Sequence, residues 1–173
     1  MNDGLQILTA AHVLISLAGI ASGFVVIYGF LTGRRVDLWT AIFLATTVLT
    51  SLTGFLFPIE RLTPGIVIGI VSLLVLAVAM IARYRAHLEG RARAAYVVSA
   101  VIALYFNVLV LIVQSFQKVP TLKALAPTQS EPPFVVTQFI VLGIFVLIAA
   151  LGLKRFRAEP TAFDHSETQR RTS

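Results

Sequence analysis

The sequence predicts an all-α, polytopic integral membrane protein: a bundle of five transmembrane helices. Three observations carry that prediction. Only 13% of the 173 residues are charged and 57% are hydrophobic, against about 25% charged in an ordinary soluble domain. Five apolar runs, residues 5–31, 38–57, 65–82, 94–116 and 134–153, contain no Asp, Glu, Lys or Arg. Each can cross a hydrocarbon core of about 30 Å at about 1.5 Å per residue. The basic residues gather at the ends of these runs. No period-two alternation is visible, so the spans are helices that pair their own backbone groups rather than barrel strands.

Charge placement predicts the orientation. Arg34 and Arg35 follow the first run, Arg83, Arg85, Arg91 and Arg93 lie around the third loop, and Lys154, Arg155, Arg157, Arg170 and Arg171 follow the last run. These are 11 of the 14 Lys and Arg residues; Arg61, Lys118 and Lys123 fall on the other side. The positive-inside rule then sets the N-terminus outside and the C-terminus in the cytoplasm. Residues 1–153 form the bundle and residues 154–173 a polar cytoplasmic tail, expected to be disordered or to contact a cytoplasmic partner. The net charge of +6 sits at helix ends, where anionic headgroups explain it better than nucleic acid does.

In the first span, Thr9, His12, Ser16, Gly19 and Gly23 recur at spacings of 3, 4, 3 and 4, one stripe of a helix. Gly19 and Gly23 form a small-residue pair that admits a neighbouring helix. His12 is about 10 Å inside the outer boundary at about 1.5 Å per residue. A histidine there faces the bundle or a wet cavity; it is either a functional group or an ordinary cross-bundle hydrogen-bond partner.

Asp37 is placed to cap the second span, with Trp39 at interface depth. That span carries Thr46, Thr47, Thr50, Ser51, Thr53 and Gly54. Its hydroxyls can bond back to their own helix, and so many small residues mark a protein-facing surface. Pro58 ends the span, and Thr63 and Pro64 start the next as N-cap and first helical residue. The third span has a second glycine pair, Gly65 and Gly69, and then turns aliphatic, as lipid-facing scaffold would.

The fourth span places Asn107 near the midplane and Gln114 near the outer boundary, on one face. An unpaired amide in hydrocarbon costs several kcal/mol, so Asn107 is expected to meet Thr46, Thr50 or Ser16. Residues 117–133 are too proline-rich for a long helix and too apolar for a free linker. They read as a roof over the outer half of the bundle, with Lys118 and Glu131 placed to pair. The fifth span opens with Thr137 and Gln138.

Plotted by depth, His12, Ser16, Thr46, Thr50, Thr53, Asn107, Gln114, Thr137 and Gln138 all fall in the outer half or at the midplane. This predicts an outward-facing polar cavity. The segments Thr53-Gly-Phe-Leu-Phe-Pro58, Thr63-Pro-Gly65 and residues 114–134, ending PTQSEPPF, resemble a group of small, uncharacterised bacterial multi-pass inner-membrane proteins. The resemblance implies a multi-pass protein of a bacterial inner membrane and transfers no functional residues.

Three functional classes follow. The first is a non-enzymatic accessory subunit, or a binder of a lipophilic small molecule, with His12, Ser16, Thr46, Thr50, Asn107, Gln114 and Gln138 as cavity residues. Its partners are the bilayer and either a second copy or a membrane complex. The second is a small transporter or proton-linked channel with His12 as the titrating group; the spans' lack of Asp and Glu counts against it. The third is a haem b or quinone protein with His12 as the cofactor residue. Haem held by two histidines needs a second one within the membrane, whereas a quinone needs only hydrogen-bonding groups such as His12 and Asn107. With no cysteine, no HExxH and no Gly-rich phosphate loop, no hydrolase or metalloenzyme motif is present.

Overall fold

The computed structural model describes residues 3–57 and 64–157. Helix α1 runs Asp3–Thr32, α2 Asp37–Gly54, α3 Pro64–Met80, α4 Arg91–Lys118, α5 Pro120–Leu125 and α6 Pro132–Arg155; no strand occurs among the described residues. A π turn, Ile81–Arg85, continues α3. Four helices are long and apolar enough to cross a membrane: α1, α3 with its π turn, α4 and α6. The protein is therefore a helical membrane protein.

Helix α2 is not among those four. It has 18 residues and ends at Gly54, short of the expected Phe57. Its first residue is charged and its second half is rich in hydroxyls, which dilutes its apolar character. The expected cap at its start is not made either. Val36 is the N-cap residue and no side chain caps the helix; the Asp37 carboxylate instead takes a hydrogen bond from Arg83. Pro58 and Thr63, expected to end the second span and cap the third, lie outside the described residues.

Helices α1, α2, α3 and α4 close a ring, each touching the next and α4 returning to α1. Helix α6 lies outside the ring against α1 and α4, and α5 lies against α4. The ring closes tightly where small residues sit. A Cβ on Gly23 would lie 2.6 Å from Leu104 Cδ1 and 3.0 Å from Phe43 Cδ2, distances at which one of them must move. Phe43, Leu76, Val97 and Ala103 are completely buried. Helix α3 is more than lipid-facing scaffold: Ser72, Leu76 and Ala79 form a buried stripe at spacings of 4 and 3, while Val67, Ile70 and Leu74 stay exposed. Phe139, Ile140, Val146 and Leu147 of α6 are exposed as well. An apolar surface of that kind suits a hydrocarbon solvent.

One end of the ring is sealed by aromatic rings and arginines. Phe30 meets Tyr96 edge-on at 5.4 Å and Phe156 at 5.0 Å. Arg83 donates to Asp37 and to the Tyr96 hydroxyl, which donates on to Thr40 Oγ1 at 3.3 Å. Arg93 donates to the carbonyls of Leu153 and Phe156, satisfying the open C-terminus of α6. Arg155 donates to Leu31 O at 3.3 Å. In the loop before α4, Leu88 adopts φ +62° and is fully buried. Helix α6 continues to Arg155 and Phe156 is buried, so the first residues of the expected tail belong to the packed body. Residues 158–173 lie outside the described residues.

Candidate functional site

At the other end the ring splays around a cavity of about 620 Å³, walled by α1, α2, α3 and α4. Its position follows from side-chain size. Toward the arginine end the ring axis is filled by Phe43 and Leu104 against Gly23. Toward the cavity end the inward positions carry Thr9, Ser16, Ser51, Gly65, Gly69 and Ser72, which leave the axis empty.

Most of the hydroxyls lining the cavity are satisfied by their own helices. Thr9 donates to Leu5 O and Ser16 to His12 O, both at 2.7 Å, and Ser51 donates to Thr47 O at 3.0 Å. Such back-bonds make a hydroxyl tolerable in an apolar setting without a ligand. Other lining groups differ: Ser72 and Gln114 make no side-chain hydrogen bond among the described residues, and Asn107 bonds across to α2. His12 Nδ1 lies 2.8 Å from Thr53 Oγ1, joining α1 to α2, and its ring meets Phe57 edge-on at 5.4 Å. Thr50 Oγ1 is buried without a hydrogen-bond partner among the described residues.

Of the seven expected cavity residues, His12, Ser16, Thr50, Asn107 and Gln114 line the space. Thr46 and Gln138 do not. Thr46 donates to Ile42 O at 2.7 Å and faces Gly19, where an added Cβ would approach its Oγ1 to 3.2 Å. Gln138 lies on α6, outside the ring, and its Oε1 is buried without a partner among the described residues. The expected partner of Asn107 is also corrected. Its Nδ2 donates to Thr47 Oγ1 at 3.2 Å, not to Thr46, Thr50 or Ser16. Adjacent helical residues point about 100° apart, and it is Thr47, fully buried, that faces α4.

The segment after α4 does not roof the cavity. Only Lys118 and Val119 reach it. The rest folds beside α4, where Gln129 Nε2 donates to Val113 O at 3.0 Å. Glu131 does not pair with Lys118. It accepts hydrogen bonds from Thr128 N, Thr128 Oγ1 and Ser130 N. Partial desolvation raises the Glu131 pKa; these bonds and its own backbone N–H outweigh that and bring it below the usual value.

Sequence reasoning missed Ser72 and the aromatic walls Phe55 and Phe57. A signal for Ser72 was present: Gly65, Gly69, Ser72, Leu76 and Ala79 continue one stripe at spacings of 4, 3, 4 and 3.

Among the described residues, the cavity has no acidic lining residue and one cationic one, Lys118. No group of three or more His, Cys, Asp or Glu residues able to hold a metal occurs among the described residues. His87, the other histidine among them, sits in the loop at the arginine end, so His12 and His87 of one chain do not fit as a pair of haem ligands. The arrangement can enclose an apolar molecule and hydrogen-bond it at a few points. No family model, curated protein or solved structure matches the chain.

Proposed function

We propose that this protein is a non-enzymatic component of a bacterial inner membrane that binds one lipophilic small molecule in an outward-facing cavity. The observation that carries this reading is the cavity itself. Its roughly 620 Å³ falls within the range of about 300–1,000 Å³ common to small-molecule sites, and its apolar walls with few convergent polar groups are what such sites have. Its lining residues lie toward the end away from the arginines, which the positive-inside rule makes the outer one.

The same reading makes α2 a fifth span. It leaves the arginine end at Asp37 and reaches the cavity end, where Phe55 packs against Gly69 near the start of α3. Its 18 residues rise about 27 Å. Five crossings place the N-terminus outside and the C-terminus in the cytoplasm. A through-channel or a proton-linked transporter centred on His12 is less well supported. The axis below the cavity is filled at Gly23, Phe43 and Leu104.

The test is native mass spectrometry and solvent extraction of the protein purified in mild detergent, with a visible spectrum of the same sample. The wild type retains a lipophile, and Ser16→Phe, which fills the cavity, does not. A wild type that retains nothing, and takes up no added lipophile, counts against the reading. A C-terminal reporter found on the periplasmic side breaks the five-span topology independently.

A further inference from the structure

The hydrogen-bond arithmetic around His12 narrows the kind of molecule the cavity takes, given that it binds a lipophile. A threonine hydroxyl has one hydrogen. In Thr53 that hydrogen is already committed to its own helix, with Oγ1 at 2.7 Å from Leu49 O and 3.2 Å from Thr50 O. If it pointed at His12 instead, the hydroxyl would face the Leu49 carbonyl with lone pair against lone pair at hydrogen-bond distance. The 2.8 Å contact between Thr53 Oγ1 and His12 Nδ1 is therefore made by Nδ1–H donating.

The consequence falls on the other ring nitrogen. In a neutral imidazole one nitrogen carries the hydrogen and the other is an acceptor. An imidazolium here would find no carboxylate among the described residues lining the cavity, and an unpaired buried charge is costly. With Nδ1 protonated, Nε2 is a bare lone pair, and it has no hydrogen-bond partner among the described residues. The hydroxyls of Thr9, Ser16 and Ser51 spend their hydrogens on their own helices. The Thr50 hydroxyl, three residues before Thr53 and so about one helical turn deeper, has no partner among the described residues.

We propose that the occupant is a neutral lipophile with a hydroxyl-bearing head, such as an alcohol, a phenol or a quinol. Its O–H donates to His12 Nε2, and the Thr50 hydroxyl serves a second head oxygen where the head carries one. Thr53 acts as the positioning residue that fixes the imidazole tautomer. A head that only accepts hydrogen bonds leaves Nε2 unanswered.

The experiment uses a matched pair of probes, para-nonylphenol and its methyl ether, titrated calorimetrically into the full-length protein in mild detergent. The pair differs in the donor hydrogen and little else. The wild type is expected to prefer the phenol by about 2- to 10-fold, the range one neutral hydrogen bond supplies. His12→Ala abolishes the preference. Thr53→Val, which frees the ring to change tautomer and so lets Nε2–H donate to the ether oxygen, reduces it, whereas Thr53→Ser keeps it. Equal binding of both probes by the wild type overturns the hydroxyl-head assignment and leaves the cavity as a binding site. Tighter binding of palmitate, lost in Lys118→Ala and kept in His12→Ala, overturns it in favour of an acid head at the rim. Failure of the folded wild type to bind either probe or palmitate removes the binding function as well.

Discussion

The two ends of the four-helix ring are made by the same helices and solve opposite problems. At the arginine end the interior is packed with large side chains, Tyr96 and Phe156 among the fully buried ones. Phe30, Tyr96 and Phe156 interlock, and Arg83, Arg93 and Arg155 answer a carboxylate and three backbone carbonyls. At the cavity end the inward residues are small and hydroxylated, and the space they leave is about 620 Å³. In lipid there is little hydrophobic gain from bringing helices together, so packing and hydrogen bonds hold a bundle. The arginine end has both in quantity. The cavity end keeps a few cross-helix bonds, chiefly His12 to Thr53 and Asn107 to Thr47. On the proposed reading, stability and binding fall to different halves of one ring, and substitutions in the two halves should behave differently.

The largest effect is expected from Tyr96→Ala. It removes a ring that is 1% exposed, the stacking surface under Arg83 and the hydroxyl between Arg83 and Thr40. Large-to-small changes of aromatic residues in cores cost about 3–5 kcal/mol. Thermal unfolding in detergent should show a drop of several degrees while ligand retention per folded molecule is preserved. A Tyr96→Ala protein as stable as the wild type would break the comparison at once.

Asn107→Leu should come second. It deletes the bond to Thr47, worth about 0.6 kcal/mol by the average for such bonds between membrane helices. Because Asn107 also lines the cavity, retention of the bound molecule should fall more than the melting temperature does. A large loss of stability with retention intact would move Asn107 into the structural half.

Thr50→Val sharpens the contrast further. Its hydroxyl is buried without a partner among the described residues, and removing an unsatisfied polar group is neutral or stabilising. Its melting temperature should be unchanged or slightly raised, with weaker ligand binding. A cost above about 1 kcal/mol would mean the hydroxyl is satisfied.

The smallest effect concerns Glu131, outside both halves. Its pKa is lowered below 4.5 by the bonds from its own backbone, Thr128 and Ser130, against an opposing rise from desolvation. A carboxylate of lowered pKa contributes stability that is full above its unfolded pKa and is lost as pH falls through the folded value. Protection of the Thr128 and Ser130 amides from hydrogen exchange, corrected for intrinsic rate, should therefore hold near neutrality and disappear in acid. Loss of protection near pH 7 would assign the turn to another interaction.

Much of this contrast was legible in the sequence, for a physical reason. Uncharged runs long enough to cross a bilayer admit few structures, and most of the helices follow from them. The clustering of polar residues by depth placed His12, Ser16, Thr50, Asn107 and Gln114 on one cavity. What failed depended on rotation and on choice among partners. That Asn107 needs a bond follows from the cost of a bare amide; that Thr47 rather than Thr46 makes it depends on how α2 turns about its axis. Gln138 matched the cavity residues in depth and sits on a helix outside the ring. The arginines were read as topology signals, and their charge does say that. Charge alone gives no sign that Arg93 would close the end of α6 or that Arg83 would reach Asp37.

The π turn at Ile81–Arg85 has a consequence for how this chain tolerates insertion and deletion. A π turn holds one residue more than the α-helical turn it replaces, as the bond from Ala86 N to Ile81 O reflects. Deleting one residue there would restore a plain helix and leave α3 above it in place. The same deletion would swing whatever follows by about 100° about the helix axis, turning the guanidinium away from Asp37 and Tyr96 together. The extra residue works as a phase adjuster: α3 keeps its buried stripe of Ser72, Leu76 and Ala79 in step with the ring, while Arg83 is set by a separate count. Chains of this architecture that differ by one residue in that turn should preserve the cavity and lose the Asp37–Arg83 pair.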